Sequence, residues 1–205
     1  MRSAAPDTLE RTAWAQASAS TLAHHGACCD HARAWLLGMA RSHDFTATDA
    51  FTYAAPGWLR HRWSWGPTRW PIAWCEAIRA KSVDCGVFAA FALEIFRAKG
   101  VEAYGGQVLR AAAEETITHW RRRWSAVPDA FNWLGGRVIY HEVCVVRVGP
   151  TELRIYDPTE GVWLEPELRA GHGAQLAIRA EIPQAMTWGP HVLVSGQWTE
   201  IAPDA

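Results

Sequence analysis

Three residues of this sequence could together form a reactive thiol site: Cys85, His141 and Asp157. A cysteine nucleophile needs a lowered pKa, a base within hydrogen-bond distance and a third group that orients this base. Cys85 directly follows Asp84, a residue type that often begins a helix. The dipole at a helix N-terminus favours the thiolate, and the free backbone N–H groups there can bind an oxyanion. The spacing therefore predicts a nucleophile at Cys85.

His141 and Asp157 lie on two runs that have the composition of neighbouring strands. The runs, 138–148 and 153–156, flank a G-P-T-E sequence that favours a hairpin. The two side chains face each other if the hairpin turns about Gly149, and they are diagonal neighbours if the turn is longer. Both registers allow the aspartate to orient the imidazole, and the imidazole to accept the thiol proton.

Three stretches of sequence carry these residues: VDCGVFAAFALEIFRAKGVEAYGG, YHEVCVVRV and LRIYDPTEG. Together they resemble the transglutaminase-like core of the papain-type superfamily of cysteine enzymes, over about residues 75–165. The resemblance implies that Cys85 is the nucleophile, His141 the base and Asp157 the orienting residue. It also implies an α+β fold, in which N-terminal helices and the helix of the catalytic cysteine pack on an antiparallel β-sheet.

The chain departs from the family pattern in ways that concern the substrate. Val143 stands where the family usually has an aromatic residue, Tyr104 stands where an arginine is usual, and an extra segment, 107–137, separates the two halves of the site. Leader peptidases of bacteriocin exporters are a similar group with the same D-C-G start. They usually carry a glutamine before the cysteine, and residues 78–83 contain none.

The resemblance implies acyl transfer through a thioester at Cys85. The donor would be a peptide, an amide, an ester or an acyl-carrier thioester, and an amine would accept the acyl group. The alternative is a cysteine peptidase or amidase, similar to the leader peptidases, in which water takes the place of the amine. A second alternative is an inactive binding module that keeps the same fold.

Tryptophan is in excess, with 13 residues against 6 Phe and 4 Tyr. Five precede Cys85 in a segment rich in Pro and Gly, 41–74, for which we predict a long ordered loop: Trp58, Trp63, Trp65, Trp70 and Trp74. The indoles either pin this loop to the core or line an acyl pocket. Trp65 and Trp74 are the candidates for a pocket wall or a second oxyanion donor, as the resemblance implies, and Tyr140 is a further candidate wall.

Periodicity and breakers predict the other elements. A single domain is expected over 1–205, with a helical part at 1–75 and the catalytic core at about 75–165. The predicted elements are helices at 8–40 divided at Gly26, a helix at 84–98 closed by Gly100, a strand at 101–109 interrupted by two glycines, a helix at 110–125 and a strand at 191–201.

Composition excludes several classes of protein. The 205 residues carry a net charge of -1, and the pI is about 6.7, which gives no bulk attraction to nucleic acid or to an anionic membrane. The sequence has no apolar stretch of membrane-spanning or signal-peptide length. We therefore expect a cytoplasmic protein with no nucleic-acid or membrane partner and no cofactor; the sequence leaves the oligomeric state open.

The five cysteines, an odd number, indicate free thiols and no disulfide framework. The run HHGACCDH would bring His24, Cys28 and His31 near one face of a helix, which raises the question of a metal site. Zinc sites normally have two separated ligand pairs, and no second pair is evident, so an amphipathic helix with free thiols and no metal is expected. Cys75 and Cys144 are predicted to be core residues.

Overall fold

A computed structural model describes most of the central part of the chain. The described residues are 22–42, 58–111, 114–123, 133–134, 138–149, 153–164, 175–180, 186–188, 191–194 and 197–200. Of the helix predicted between residue 8 and Gly26, only 22–25 are described, and they are not helical, since Ala23 forms a β-bridge with Ala73; the rest lies outside the described residues. Within them, the helices are α1 (Ala27–Ser42), α2 (Leu59–Arg62), α3 (Trp74–Arg79), α4 (Cys85–Ala98) and α5 (Glu114–Arg123).

The strands form one large antiparallel sheet and one small parallel pair. They are β1 (Ser64–Trp65), β2 (Ser82–Val83), β3 (Ala103–Ala111), β4 (Trp133–Leu134), β5 (Val138–Arg147), β6 (Leu153–Asp157), β7 (Val162–Leu164), β8 (Gln175–Ala180), β9 (Met186–Trp188), β10 (His191–Val194) and β11 (Gln197–Glu200). The nine-stranded sheet has the order β7-β6-β5-β3-β8-β11-β10-β9, with β4 also paired to β5. Strands β1 and β2 pair in parallel. The mixed α+β class with an antiparallel sheet is confirmed.

Helix α4 is the central helix, and its ends follow from local sequence signals. Asp84 caps it, because its Oδ1 accepts a hydrogen bond from the N–H of Val87 at 3.0 Å. At the other end Gly100 takes a φ of +75°, the left-handed conformation that closes many helices. Eight of its residues are buried, and its apolar side packs on β5 and β3. The predicted helix, its cap and its terminating glycine are confirmed.

The two faces of β5 and β6 belong to two separate apolar clusters. Cys144 and Tyr156 are buried together with α4 and the tryptophan-rich segment. Val143 and Ile155 are buried on the opposite face, together with Val108 of β3. Because side chains alternate along a strand, this pattern fixes the face on which each neighbouring residue lies. We call the surface that carries Cys144 and Tyr156 the helix-side face.

Two predictions about local structure are wrong. The described part of the segment predicted as a loop, 41–74, contains α2, β1 and the first residue of α3, because burial of Leu59 and Trp63 organises it into short elements. The single strand predicted at 191–201 is two strands, β10 and β11, that pair with each other so that His191 lies opposite Glu200.

The remaining elements differ from prediction in detail. Strand β3 pairs with β5 without a break through Gly105 and Gly106, where an interruption was expected. Residues 110 and 111, predicted as the start of the next helix, belong to β3, and α5 is described from Glu114 to Arg123. Helix α1 begins directly after Gly26, whose φ is +73°, so the predicted start of a helix after this glycine is confirmed. Among the described helices, none has both the length and the apolar character needed to cross a membrane.

Candidate active site

Cys85 is the first residue of α4, and its backbone N–H is available to a ligand. Asp84 accepts a hydrogen bond from the N–H of Val87, two residues after Cys85 in the helix. The N–H of Cys85 has no partner within the described residues, as is usual for the first turn of a helix. An oxyanion formed on an acyl group at the sulfur would therefore find one backbone donor beside it.

The capping residue is itself held by the tryptophan-rich segment. The indole Nε1 of Trp70 donates to Oδ2 of Asp84 at 2.6 Å, and the N–H of Asp84 donates to Oγ1 of Thr68 at 2.9 Å. Burial raises the pKa of Asp84 despite these hydrogen bonds. The contacts fix the carboxylate at the helix start and with it the position of Cys85.

The surroundings of the Cys85 thiol oppose ionisation. Burial raises its pKa well above the ordinary value, and the negative charges of Asp84, Glu142 and Asp157 raise it further, while a backbone hydrogen bond from Glu142 lowers it. The expectation that the helix N-terminus would give Cys85 a lowered pKa is therefore wrong. Desolvation and three nearby carboxylates outweigh the half-charge of the helix end.

Alkylation of Cys85 should accordingly depend on pH in a defined way. We expect its rate with iodoacetamide to rise through a pKa above that of an ordinary cysteine, since only the thiolate reacts. Glu142→Gln removes one neighbouring negative charge, so it should lower this pKa and speed alkylation near neutral pH. Mass spectrometry of the Cys85 peptide gives the rate at this site alone, separate from that of the exposed Cys28.

The control for this measurement is Glu115→Gln, which removes one carboxylate from the exposed surface of α5. Cys85 of this variant should be alkylated at the same rate, and with the same pH dependence, as Cys85 of the original protein. An unchanged or higher Cys85 pKa in Glu142→Gln would contradict the assigned cause.

His141 and Asp157 form a direct hydrogen bond. The distance between His141 Nε2 and Asp157 Oδ2 is 2.7 Å, and the aspartate is fully buried while the histidine side chain is 12% exposed. Cys144 lies opposite Tyr156 in the β5–β6 register, so His141 and Asp157 are diagonal neighbours. The predicted contact is confirmed in the diagonal geometry expected for the longer turn; its catalytic role stays a prediction.

The D-P-T turn holds the aspartate in this position. Its second oxygen, Oδ1, accepts hydrogen bonds from the backbone N–H groups of Thr159 at 3.0 Å and Glu160 at 3.3 Å. An ionised Asp157 requires a proton on Nε2 of His141. The ring then has its lone pair on Nδ1, which has no hydrogen-bond partner among the described residues. This tautomer can act as a general base.

The structure places Cys85 beside β5, the strand that carries His141, but among the described residues no hydrogen bond connects Cys85 to the His–Asp pair. The sulfur lies beside the backbone of Glu142, next in sequence to His141. By strand alternation, however, His141 and Asp157 lie on the face opposite the helix-side face. No hydrogen bond within the described residues connects the Cys85 sulfur to the His141 ring. Proton transfer therefore requires the His141 ring to approach the Cys85 sulfur beyond Cys144 and Tyr156, where the pairing of β5 with β6 ends.

The predicted aromatic residues are divided between this region and the core. Trp65 is half-buried and lies opposite Val83 in the β1–β2 pair, two residues before Cys85. Trp74 is buried, with its ring 5.5 Å from that of Phe91, about 9 Å along the helix from Cys85. The side chain of Tyr140 lies outside the described residues. Roles for these residues in the pocket or as oxyanion donors remain predictions.

Burial supports a packing role for part of the tryptophan excess. Trp63 is 2% exposed, and its ring lies 5.0 Å from Phe91, 6.3 Å from Trp35 and 6.4 Å from Trp58. Some indoles therefore pin the segment before Cys85 to the core.

Sequence reasoning missed two residues at the site. Glu142 is 8% exposed, a rare environment for a glutamate. Because side chains alternate along a strand, Glu142 shares the helix-side face with Cys144. This alternation was the signal in the sequence that could have identified it. Trp70 was counted among the five tryptophans, but nothing in the sequence indicated that its indole would hold Asp84.

The cysteines are free throughout the described residues. Cys75 and Cys144 are buried, as predicted for core residues, and Cys28 is exposed. In the 24–31 cluster, His24 Nε2 lies 2.8 Å from Asp30 Oδ1. The described part of the chain contains no group of three or more His, Cys, Asp or Glu side chains placed to hold a metal ion.

Comparisons with protein-family models, with curated proteins and with solved structures give no match to this chain. Its function is therefore inferred from the residues of the site and their geometry.

Proposed function

We propose that this protein is a transglutaminase-like cysteine enzyme of papain type that transfers an acyl group through a thioester at Cys85. The observation that carries the proposal is the 2.7 Å hydrogen bond between His141 and the fully buried Asp157. A buried carboxylate that orients an imidazole, close to a cysteine at a helix N-terminus, is the set of groups that thiol catalysis requires.

The chemistry begins with a neutral thiol, in keeping with its raised pKa. Nδ1 of His141 takes the thiol proton as the sulfur attacks the acyl carbon, and the Cys85 N–H stabilises the oxyanion. The tetrahedral intermediate collapses to a thioester as the imidazolium returns the proton to the leaving group. An amine then attacks the thioester, with His141 again accepting a proton, and the thiol is released along with an amide.

The charges around the sulfur support an amine as the acceptor. Asp84 and Glu142 place negative charge close to the thioester position. Such a field attracts a cationic ammonium more than it attracts neutral water. An amine bound there still has to lose a proton before it attacks, and His141 is the nearby base in the proposal.

The proposal predicts an acyl-enzyme that can be detected directly. Incubation with a p-nitrophenyl ester, followed by intact-mass and peptide analysis, should place the acyl group on Cys85. Cys85→Ala should lose this adduct, while Cys28→Ser, a change at an exposed thiol, should keep it. Adding glycine ethyl ester at increasing concentration should shift the product from free acid to amide.

Release of free acid alone, at every amine concentration, would favour the peptidase or amidase alternative. Failure of Cys85 to acylate faster than the buried Cys75 would overturn the proposal of thiol catalysis.

A binding module with the same fold is the second candidate. It is favoured by the raised pKa of the Cys85 thiol and by the absence of a hydrogen bond between Cys85 and His141 in the described structure. Catalytic hydrogen bonds often shorten only when substrate binds. The acylation experiment separates the two candidates because a binding module forms no adduct.

A further inference from the structure

A cavity of about 500 Å³ lies between α1, the end of α2 and the connection from α3 to β2. Its lining consists of two apolar groups, one alanine and three cations: Trp35, Ile78, Ala80, Arg62, Arg79 and Lys81. Its volume is in the range of pockets that bind small molecules. The proposed thiol chemistry uses none of these residues.

No carboxylate of the described residues neutralises the positive charge of the cavity. Among the described residues, the lining includes no Asp or Glu, and none of its three cations forms an ion pair. Asp30, on the same helix as Trp35, is paired with His24, and Glu94 is paired with Arg33. In a chain with a net charge of -1, such a concentration of cations in a concave site points to an anionic ligand.

Two of the cations are held in place before any ligand arrives. The guanidinium of Arg62 lies 5.5 Å from the Trp35 ring centroid and 5.7 Å from that of Trp63. Arg79 donates through Nε to the carbonyl of Cys75 at 2.7 Å and through a terminal nitrogen to the sulfur of Cys28 at 3.3 Å. Orientation in advance reduces the entropy lost on binding.

One wall of the cavity is a flat apolar surface. Trp35 is 39% exposed, one of two large apolar side chains exposed in the described part of the chain. Its ring is held edge-on to Trp63 at 6.3 Å, and Ile78 lies on the same lining. An exposed indole beside guanidinium groups suits a ligand that has both a planar apolar part and a negative charge.

We propose that this cavity binds a small ligand in which an oxyanion, either phosphate or carboxylate, is joined to a planar apolar group. Arg62, Arg79 and Lys81 bind the oxyanion, and Trp35 packs against the apolar group. Lys81 is four residues before Cys85, so their Cα atoms are at most about 14 Å apart. Cys85 is not part of the lining, so Cys85→Ala should bind the ligand as the original protein does.

The test is isothermal titration calorimetry at low ionic strength with four probes: phenyl phosphate, phenylacetate, inorganic phosphate and benzyl alcohol. We expect phenyl phosphate or phenylacetate to bind at millimolar concentration and more tightly than inorganic phosphate or benzyl alcohol, because only they combine charge with a ring. Tighter binding of phenyl phosphate would assign a phosphate, and tighter binding of phenylacetate would assign a carboxylate.

Two variants connect the binding to this cavity. Lys81→Gln, at an exposed position, should weaken binding of the aromatic anion by about threefold or more. Trp35→Leu keeps an apolar side chain but removes the flat surface, so it should reduce the advantage of phenyl phosphate over inorganic phosphate. The control is Arg97→Gln, which removes an exposed cation from α4 outside the cavity. Absence of binding by both aromatic anions, or equal affinities in Lys81→Gln and Arg97→Gln, would overturn the proposal.

Discussion

Replacing His141 with glutamine is expected to slow acylation of Cys85 at neutral pH by about 10²- to 10⁴-fold. The raised pKa of the thiol means that little thiolate is present near neutrality, so the reaction depends on a base. Glutamine keeps an N–H donor for the buried Asp157, which limits the cost of leaving that carboxylate without a partner. It cannot accept a proton from the thiol.

The pH dependence separates loss of a base from loss of structure. As the pH rises through the thiol pKa, the thiolate forms without help, and the deficit of His141→Gln should shrink. A misfolded variant would instead expose Cys85 as an ordinary thiol, and its acylation would follow the pKa of a free cysteine and not the raised pKa of the folded protein. The matched control is His24→Gln, since His24 makes a 2.8 Å contact with Asp30 in an exposed pair. Equal acylation rates in His141→Gln and the original protein at neutral pH would contradict the role of His141.

Helix α4 could be predicted from sequence because its signals are local. Asp84 supplies the cap, Gly100 supplies a left-handed residue, and the apolar residues between them repeat at helical spacing. The contact between His141 and Asp157 could also be predicted, because both residues lie on strands joined by a short connection. Only the turn length was undetermined, and the diagonal register resolves it.

The electrostatic state of Cys85 could not be predicted because it depends on tertiary packing. The sequence shows Asp84 beside the cysteine, but Glu142 and Asp157 approach the sulfur only when α4 packs on the sheet. Desolvation is likewise a property of the packed structure. A rule based on the helix dipole alone therefore gave the wrong direction for the thiol pKa.

The segments 41–74 and 191–201 were predicted wrongly, each for a different reason. In the tryptophan-rich segment, burial of Leu59 and Trp63 in the core stabilises short elements, with Trp63 in contact with Phe91 of α4. Single turns of helix have weak sequence signals. At 191–201, strand-forming residues continue on both sides of a Ser-Gly pair. The apolar pattern predicted the strand type correctly but not that the chain reverses direction within the run.

Asp157→Asn is expected to lower the rate of Cys85 acylation by a factor on the order of 10³–10⁴ while the protein stays folded. The asparagine oxygen can still accept from the N–H groups of Thr159 and Glu160, which Oδ1 of Asp157 binds now. Its amide group then faces Nε2 of His141 as a donor. That favours the tautomer with the proton on Nδ1, which removes the lone pair that would accept the thiol proton.

Asp157→Ala separates the structural contribution of this aspartate from its effect on the tautomer. It removes the hydrogen bonds to His141, Thr159 and Glu160, so urea unfolding should show a loss of about 2–4 kcal/mol in the free energy of unfolding. Asp157→Asn should lose much less, because it keeps the turn. Asp30→Asn alters the exposed His–Asp pair and should change neither stability nor acylation appreciably. Equal rates of Cys85 acylation in Asp157→Asn and Asp30→Asn would contradict this role. The buried aspartate would then only stabilise the turn, and catalysis would not depend on the tautomer of His141.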